Sequence, residues 1–234
     1  MKTRAALGIL AAAGLAATAQ AQESVTYTLT WTEVLAGTTN AGNGNGTVDP
    51  GEGVRFAIRA QITPGIGATA TYTPPPPPGS GTIAGFGSMF LDLLGTNLNG
   101  GTWSNIQRGT WALGGQGDPQ ANGDITNAQA GQFILPGGTA NSTNPITNIW
   151  RGVWNPSTYA NRTASVGTAG AVASGGNHSS ILIKYGVDPQ GNDQYVAKFV
   201  AGVAGSSGSI PITPAPSSLA LLGLGALVAG RRRR

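Results

Sequence analysis

The side chains best suited to chemistry in this chain fall into two kinds of grouping: indoles beside arginines, and carboxylates with amides in glycine-rich turns. The first grouping is written twice. Asn105-Ile106-Gln107-Arg108-Gly109-Thr110-Trp111 and Asn148-Ile149-Trp150-Arg151-Gly152-Val153-Trp154 share the pattern N-I-x-R-G-x-W. Within an extended strand Trp150 and Trp154 fall on one face and Arg151 and Val153 on the other, because side chains alternate. Trp150 and Trp154, with Trp103, Trp111, Arg108 and Arg151 nearby, therefore form a candidate platform for stacking a sugar ring. The plainer expectation for large aromatics is that they fill the core.

The second grouping lies in Gly42-Asn43-Gly44-Asn45-Gly46-Thr47-Val48-Asp49-Pro50-Gly51-Glu52. Asn43, Asn45, Asp49 and Glu52 offer the hard oxygen atoms that calcium takes in sets of about six to eight. Asp118, Asn122 and Asp124 make a second such cluster. Neither follows the spacing of an EF-hand loop, so both also read as turns closed by Asn and Asp side chains. No other metal site and no cofactor are expected.

Catalytic chemistry finds little support. His178, in Gly175-Gly176-Asn177-His178-Ser179, is the one histidine. Zinc sites built on imidazole usually need two or three, and no serine has the flanking glycines of a nucleophile elbow. Paired acids can hydrolyse a glycosidic bond when held about 5 to 10 Å apart. Asp49, Asp118 and Asp188 each precede proline, however, and Asp124 and Asp193 follow Gly or Asn, which are turn positions. Asp92 stands apart, inside Met89-Phe90-Leu91-Asp92-Leu93-Leu94, and is expected at a sheet edge or beside an arginine. No catalytic residues are assigned. The alternatives are a carbohydrate-active hydrolase and a calcium-dependent carbohydrate-binding module.

The elements that must position these groups are strands. Val25, Tyr27, Leu29 and Trp31 alternate with Thr26, Thr28, Thr30 and Thr32, and Val54, Phe56, Ile58, Ala60 and Ile62 alternate with Arg55, Ala57, Arg59 and Gln61. Period two rich in β-branched residues predicts half-buried strands. Further strands are predicted near 82–94, 103–113, 132–135, 146–154, 158–166, 180–186 and 194–203. In the last of these Tyr195, Ala197, Phe199, Ala201 and Val203 alternate. Turn signals every 10 to 20 residues favour an all-β fold, an antiparallel two-sheet sandwich of jelly-roll-like or immunoglobulin-like type. Pro74 to Pro78 and the following Gly79-Ser80-Gly81 are expected to form a loop within one domain spanning residues 22–209.

Composition agrees with that class: 38 glycines and 15 prolines in 234 residues, charged residues at 9%, and no cysteine. Without cysteine the fold has no disulfides and no thiolate chemistry. The sequence pI of 9.8 is set by the chain ends. Lys2, Arg4 and Arg231 to Arg234 lie there, leaving seven basic residues against nine acidic ones between residues 22 and 213, two negative charges in excess. A nucleic-acid partner is not expected, since no basic tract remains to neutralise phosphates.

Both ends read as targeting segments. Met1-Lys2-Thr3-Arg4 is a positive start, Ala5 to Ala17 an apolar stretch, and Ala19-Gln20-Ala21 a small-x-small cleavage site, together a signal peptide cut after Ala21. Thirteen residues of helix rise about 20 Å, short of the roughly 30 Å hydrocarbon core. The other end runs Pro214-Ala215-Pro216, a hydrophobic helix over 219–230, and Arg231, Arg232, Arg233 and Arg234. Terminal arginines hold such an end on the cytoplasmic side.

This Pro-x-Pro, short Leu/Gly/Ala helix and arginine cluster resembles the tail of PEP-CTERM proteins, with Ala215 where that family usually carries glutamate. The resemblance covers residues 214–234 of a sorting tail taken as 210–234. It implies export through the secretion translocon, transient anchoring in the inner membrane by the C-terminal tail, and processing by an exosortase-like enzyme. It further implies display at the cell envelope or release into an extracellular matrix beside exopolysaccharide. The expected function is that of an exported, non-enzymatic structural or adhesive surface protein.

Overall fold

A computed structural model describes residues 22–73, 79–132, 134, 138–170 and 179–214. The signal segment with Ala19 and Ala21, the hydrophobic stretch 219–230, Ala215, Pro216, the four terminal arginines and His178 lie outside the described residues. Among the described residues there is no α-helix, and so none long and apolar enough to cross a membrane.

The described chain forms twelve strands: β1 (Ser24–Leu35), β2 (Glu52–Thr63), β3 (Thr69–Tyr72), β4 (Gly79–Thr96), β5 (Thr102–Arg108), β6 (Asp118–Pro119), β7 (Ile125–Gly131), β8 (Ile146–Asn155), β9 (Arg162–Gly170), β10 (Ser179–Val187), β11 (Asp193–Val203) and β12 (Ile210–Ile212). The alternation read in β1 and β2 is the alternation of burial. Val25, Tyr27 and Leu29 are buried while Thr26 and Thr28 are exposed, and Val54, Phe56, Ile58, Ala60 and Ile62 are all buried. The two strands pair antiparallel over their whole length, from Ser24↔Thr63 to Leu35↔Glu52.

The sheet departs from the expected pair of antiparallel sheets. All twelve strands belong to one hydrogen-bonded sheet whose main path runs β12-β9-β4-β10-β11-β1-β2-β8-β5. It is mixed, because β1 and β11 run parallel at Ser24↔Ala201, Val25↔Gly202 and Thr26↔Val203. Alternation in a sequence fixes which face is buried but carries no information on the direction of a neighbour 177 residues away. β4 is the spine. One of its edges takes β3 and then β7, the other β10 and then β9. Asp92 sits in this central strand opposite Ala169, buried, and accepts the backbone N–H of Asn127 at 2.8 Å, so its expected edge position is not the observed one.

The arms of the sheet share one apolar cluster, which reaches from Val25 and Phe56 through Phe86, Leu93 and Trp150 to Ile210 and Ile212. Across it the Tyr27 hydroxyl meets the Ser179 hydroxyl at 2.5 Å, and burial pushes the Tyr27 pKa upward. Gly79, Ser80 and Gly81 begin β4 instead of ending a loop; the proline run before them lies outside the described residues. Gln132 and Ile134, predicted as strand, are not in one. In β11 the predicted apolar set faces outward: Phe199 is 59% exposed and Val203 46%, while Val200 is buried. Both parities of this strand are apolar, so alternation could not choose between its faces.

Candidate functional site

The two N-I-x-R-G-x-W segments are neighbours. β5 and β8 pair antiparallel so that Gln107 faces Arg151 and Arg108 faces Trp150, the third position of each copy opposite the fourth of the other. The Gly109 N–H continues this arrangement by donating to the Ile149 carbonyl at 2.9 Å. A local two-fold relation therefore links the copies within one sheet.

The shared asparagine explains how each copy is shaped. Asn105 and Asn148 have φ of 50° and 51°, the left-handed region that asparagine tolerates better than most residues. Each one lies at a break in its ladder. Register shifts between Ser104 and Gln107 in β5, and between the β2 partners Ile58 and Ala60 opposite Asn148. Such bulges re-aim the side chains that follow. The shared glycine has a packing reason. A Cβ on Gly109 would come within 2.6 Å of Trp111 Nε1, and one on Gly152 within 2.8 Å of the Trp150 ring.

At the end of this paired unit a pocket of about 390 Å³ opens, lined by Arg108, Trp111, Asn141, Thr143, Asn148 and Arg151, among others. Ile146 forms buried floor. Trp111 is held edge-on against Phe86, centroids 6.0 Å apart at 85°. Arg108 Nε donates to the Ala112 carbonyl at 2.6 Å. Arg151 Nε and Nη2 donate to Gln107 Oε1 at 2.9 and 2.5 Å. Each guanidinium carries five N–H donors, so both keep donors that no described residue accepts. Neither forms an ion pair: those among the described residues are Lys184–Asp193 and Lys198–Glu23. No carboxylate lines the pocket.

The predicted stacking pair is not available. Trp150 and Trp154 are both 0% exposed, and their indole N–H groups donate to the carbonyls of Gln116 and Gly100 at 2.7 and 3.2 Å. Trp103 likewise donates to Gly123 O at 2.8 Å and packs on Phe56 and Trp150. Trp111 differs. It is partly exposed, lines the pocket, and its N–H has no hydrogen-bond partner among the described residues. The arginines of the repeat thus line the pocket while Trp150 and Trp154 are buried, and the sequence pattern gave no sign of Asn141 and Thr143.

The residues offered for calcium serve another purpose. Asn43 Nδ2 and Asn45 Nδ2 each donate to Asp49 Oδ2 at 2.8 Å, and Glu52 accepts the backbone N–H of Asn43 at 2.7 Å and of Asp49 at 3.0 Å. Asp49 Oδ1 takes the hydroxyl of Thr213. That hydroxyl first, and then the two amides, hold the Asp49 carboxyl below its ordinary pKa. Val48 completes the grip: its N–H donates to Pro211 O at 2.8 Å and its carbonyl accepts Thr213 N–H at 3.1 Å. The loop clasps the chain immediately before Pro214. In the second cluster Asn122 donates to Asp124 at 2.7 Å, and Asp124 also accepts Gly95 N–H at 2.7 Å. Among the described residues no three His, Cys, Asp or Glu side chains gather in a way that would hold a metal.

Beyond the clasp, residues 213–234 match the family model of the PEP-CTERM protein-sorting motif. No curated protein matches the chain.

Proposed function

Because the chain carries a PEP-CTERM protein-sorting motif, which marks an exported protein handled by an exosortase and directed to the cell surface, we propose that it is a non-enzymatic surface or matrix protein. In this reading the β body contributes structure and adhesion in contact with exopolysaccharide. The sorting motif is the observation that carries the proposal.

Three of the acids are held in a state unlike that of a general acid. A general acid working near neutrality needs a raised pKa. Asp49, Asp188 and Asp193 are all moved the other way: Asp49 by Thr213 and its amides, Asp188 by Asn192, Asp193 by Lys184. Asp49 and Asp188 accept hydrogen bonds that close turns, and Asp193 pairs with Lys184 across the β10–β11 strands. Support for adhesion comes from the pocket, whose lining is made of donors and one indole rather than of acids and bases.

The test is intact mass of the protein recovered from native cells, fractionated into membrane, envelope and medium. The expected species lacks residues 1–21 and Arg231 to Arg234 and lies outside the inner membrane. A membrane-bound species retaining the four arginines would overturn the proposal.

A further inference from the structure

We propose that the pocket at the end of the β5–β8 pair seats a carboxylate-bearing sugar, a uronate unit of an acidic polysaccharide, with Arg108 and Arg151 taking the carboxylate and Trp111 the ring. This deepens the surface-protein reading and rests on it for access to such a polymer. Three observations carry the assignment.

Charge comes first. The folded body has an excess of acidic residues, yet two of its cations line one cavity that holds no carboxylate, and neither is neutralised by an ion pair. A guanidinium presents a planar fork that matches a carboxylate with two parallel hydrogen bonds. Among the described residues Arg108 donates only through Nε and Arg151 through Nε and Nη2, which leaves Nη1 and Nη2 of the first and Nη1 of the second for this. Two cations are too few to follow a nucleic-acid backbone, whose affinity grows with each phosphate neutralised.

The indole comes second. Three tryptophans of the same region have their N–H groups tied to backbone carbonyls, whereas the Trp111 N–H has no partner among the described residues and lies at the cavity wall. An amphipathic ring with an unused donor suits a sugar, which offers both C–H faces and hydroxyl acceptors. The rim comes third. Asn141, Thr143 and Asn148 supply amides and hydroxyls of the kind that pair with sugar hydroxyls, and about 390 Å³ falls within the usual range for small-molecule sites.

The experiment uses protein purified from the native cell envelope and follows tryptophan emission during titration. The probes are oligomers of galacturonate, glucuronate and mannuronate, a neutral galactose oligomer of equal length, and inorganic phosphate. At least one uronate oligomer is expected to bind, with saturable quenching that weakens with added salt and as pH falls through the carboxylate range of the sugar. Arg151→Gln is expected to weaken that binding about tenfold, as loss of a charge-assisted bond predicts. Trp111→Phe should remove most of the emission change, and Lys184→Gln, an equal loss of charge outside the pocket, should leave affinity within about twofold. Arg108→Gln serves as the second variant if Arg151→Gln fails to fold. Binding of none of the uronates, equal binding of the neutral oligomer, or phosphate binding as tight as uronate with Trp111→Phe without effect would each overturn the proposal. A correctly processed protein that ignores the uronates sinks the pocket assignment alone, whereas retention of the arginine tail sinks the surface reading whatever the titration shows.

Discussion

The loop at residues 42–52 and the pocket beside β5 and β8 are built from similar polar material, yet they have opposite states. In the loop the amides of Asn43 and Asn45, the carboxylates of Asp49 and Glu52 and the hydroxyl of Thr213 satisfy one another. In the pocket two guanidiniums and an indole keep donors that no described residue accepts. A cluster that closes on itself is architecture, while one that stops short of closure is open to a ligand. Composition alone cannot distinguish the two, since both contain asparagine, glycine and threonine with charged side chains.

Trp150→Ala should have the largest effect on this contrast. The indole is fully buried and anchored to Gln116 O, so its removal should cost about 3 to 5 kcal/mol. Thermal melting should fall steeply, and by much more than for Trp111→Ala at the rim. Comparable losses for the two would mean that the pocket wall is as much core as its base, and the contrast would fail.

Gly109→Ala should come next. The added Cβ meets Trp111 Nε1 at 2.6 Å, and relief by displacing the indole or the strand should cost about 1 to 3 kcal/mol. Trp111 emission should shift with it. Unchanged melting and emission would show that the indole is not seated on that glycine. Smaller again is Asn148→Ala, at φ 51°, expected to lose about 1 kcal/mol in chemical denaturation. Asn148→Gly should recover the backbone term but not the side chain, so a glycine variant worse than alanine would rule out strain as the reason for asparagine there.

The smallest expected effect lies in the loop. The Asp49 carboxyl has its folded pKa lowered by Thr213, Asn43 and Asn45. Its contribution is therefore present above the ordinary aspartate pKa and is lost as pH falls through the lowered value. Proteolysis near residues 210–214 should stay slow at neutral pH and accelerate in acid below the ordinary aspartate range. Asp49→Asn should give the fast rate at every pH, with little change in global melting. A pH-independent rate in the native protein would mean the clasp does not depend on the charge.

Much of the sheet was legible in the sequence because β1, β2, β8 and β10 have strong β-branched or aromatic runs. β7 was not, since Ile125-Thr126-Asn127-Ala128-Gln129-Ala130-Gly131 buries its face with alanines that carry little hydrophobic signal. β12 is three residues around a proline, and β3 only four. The parallel join of β1 to β11 depends on two ends of the body meeting, which local pattern does not encode. At the site, the repeat pointed to Arg108 and Arg151 because spacing survives folding. It misassigned the indoles because β8 is covered at Ile149, Trp150, Val153 and Trp154 alike, so that alternation no longer separates wet from dry.

The grip on Thr213 also determines how load would enter the protein. Pro216 is three residue steps from Thr213, which even fully extended span no more than about 11 Å, so a grip on the motif would act close to the body. A pull on that tail reaches the sheet through β12, the terminal strand of its path, joined to β9 by only three residue pairs at Ile210↔Ala164, Pro211↔Thr163 and Ile212↔Arg162. Load applied there would thus meet a peelable edge, with the Asp49 loop as its buckle.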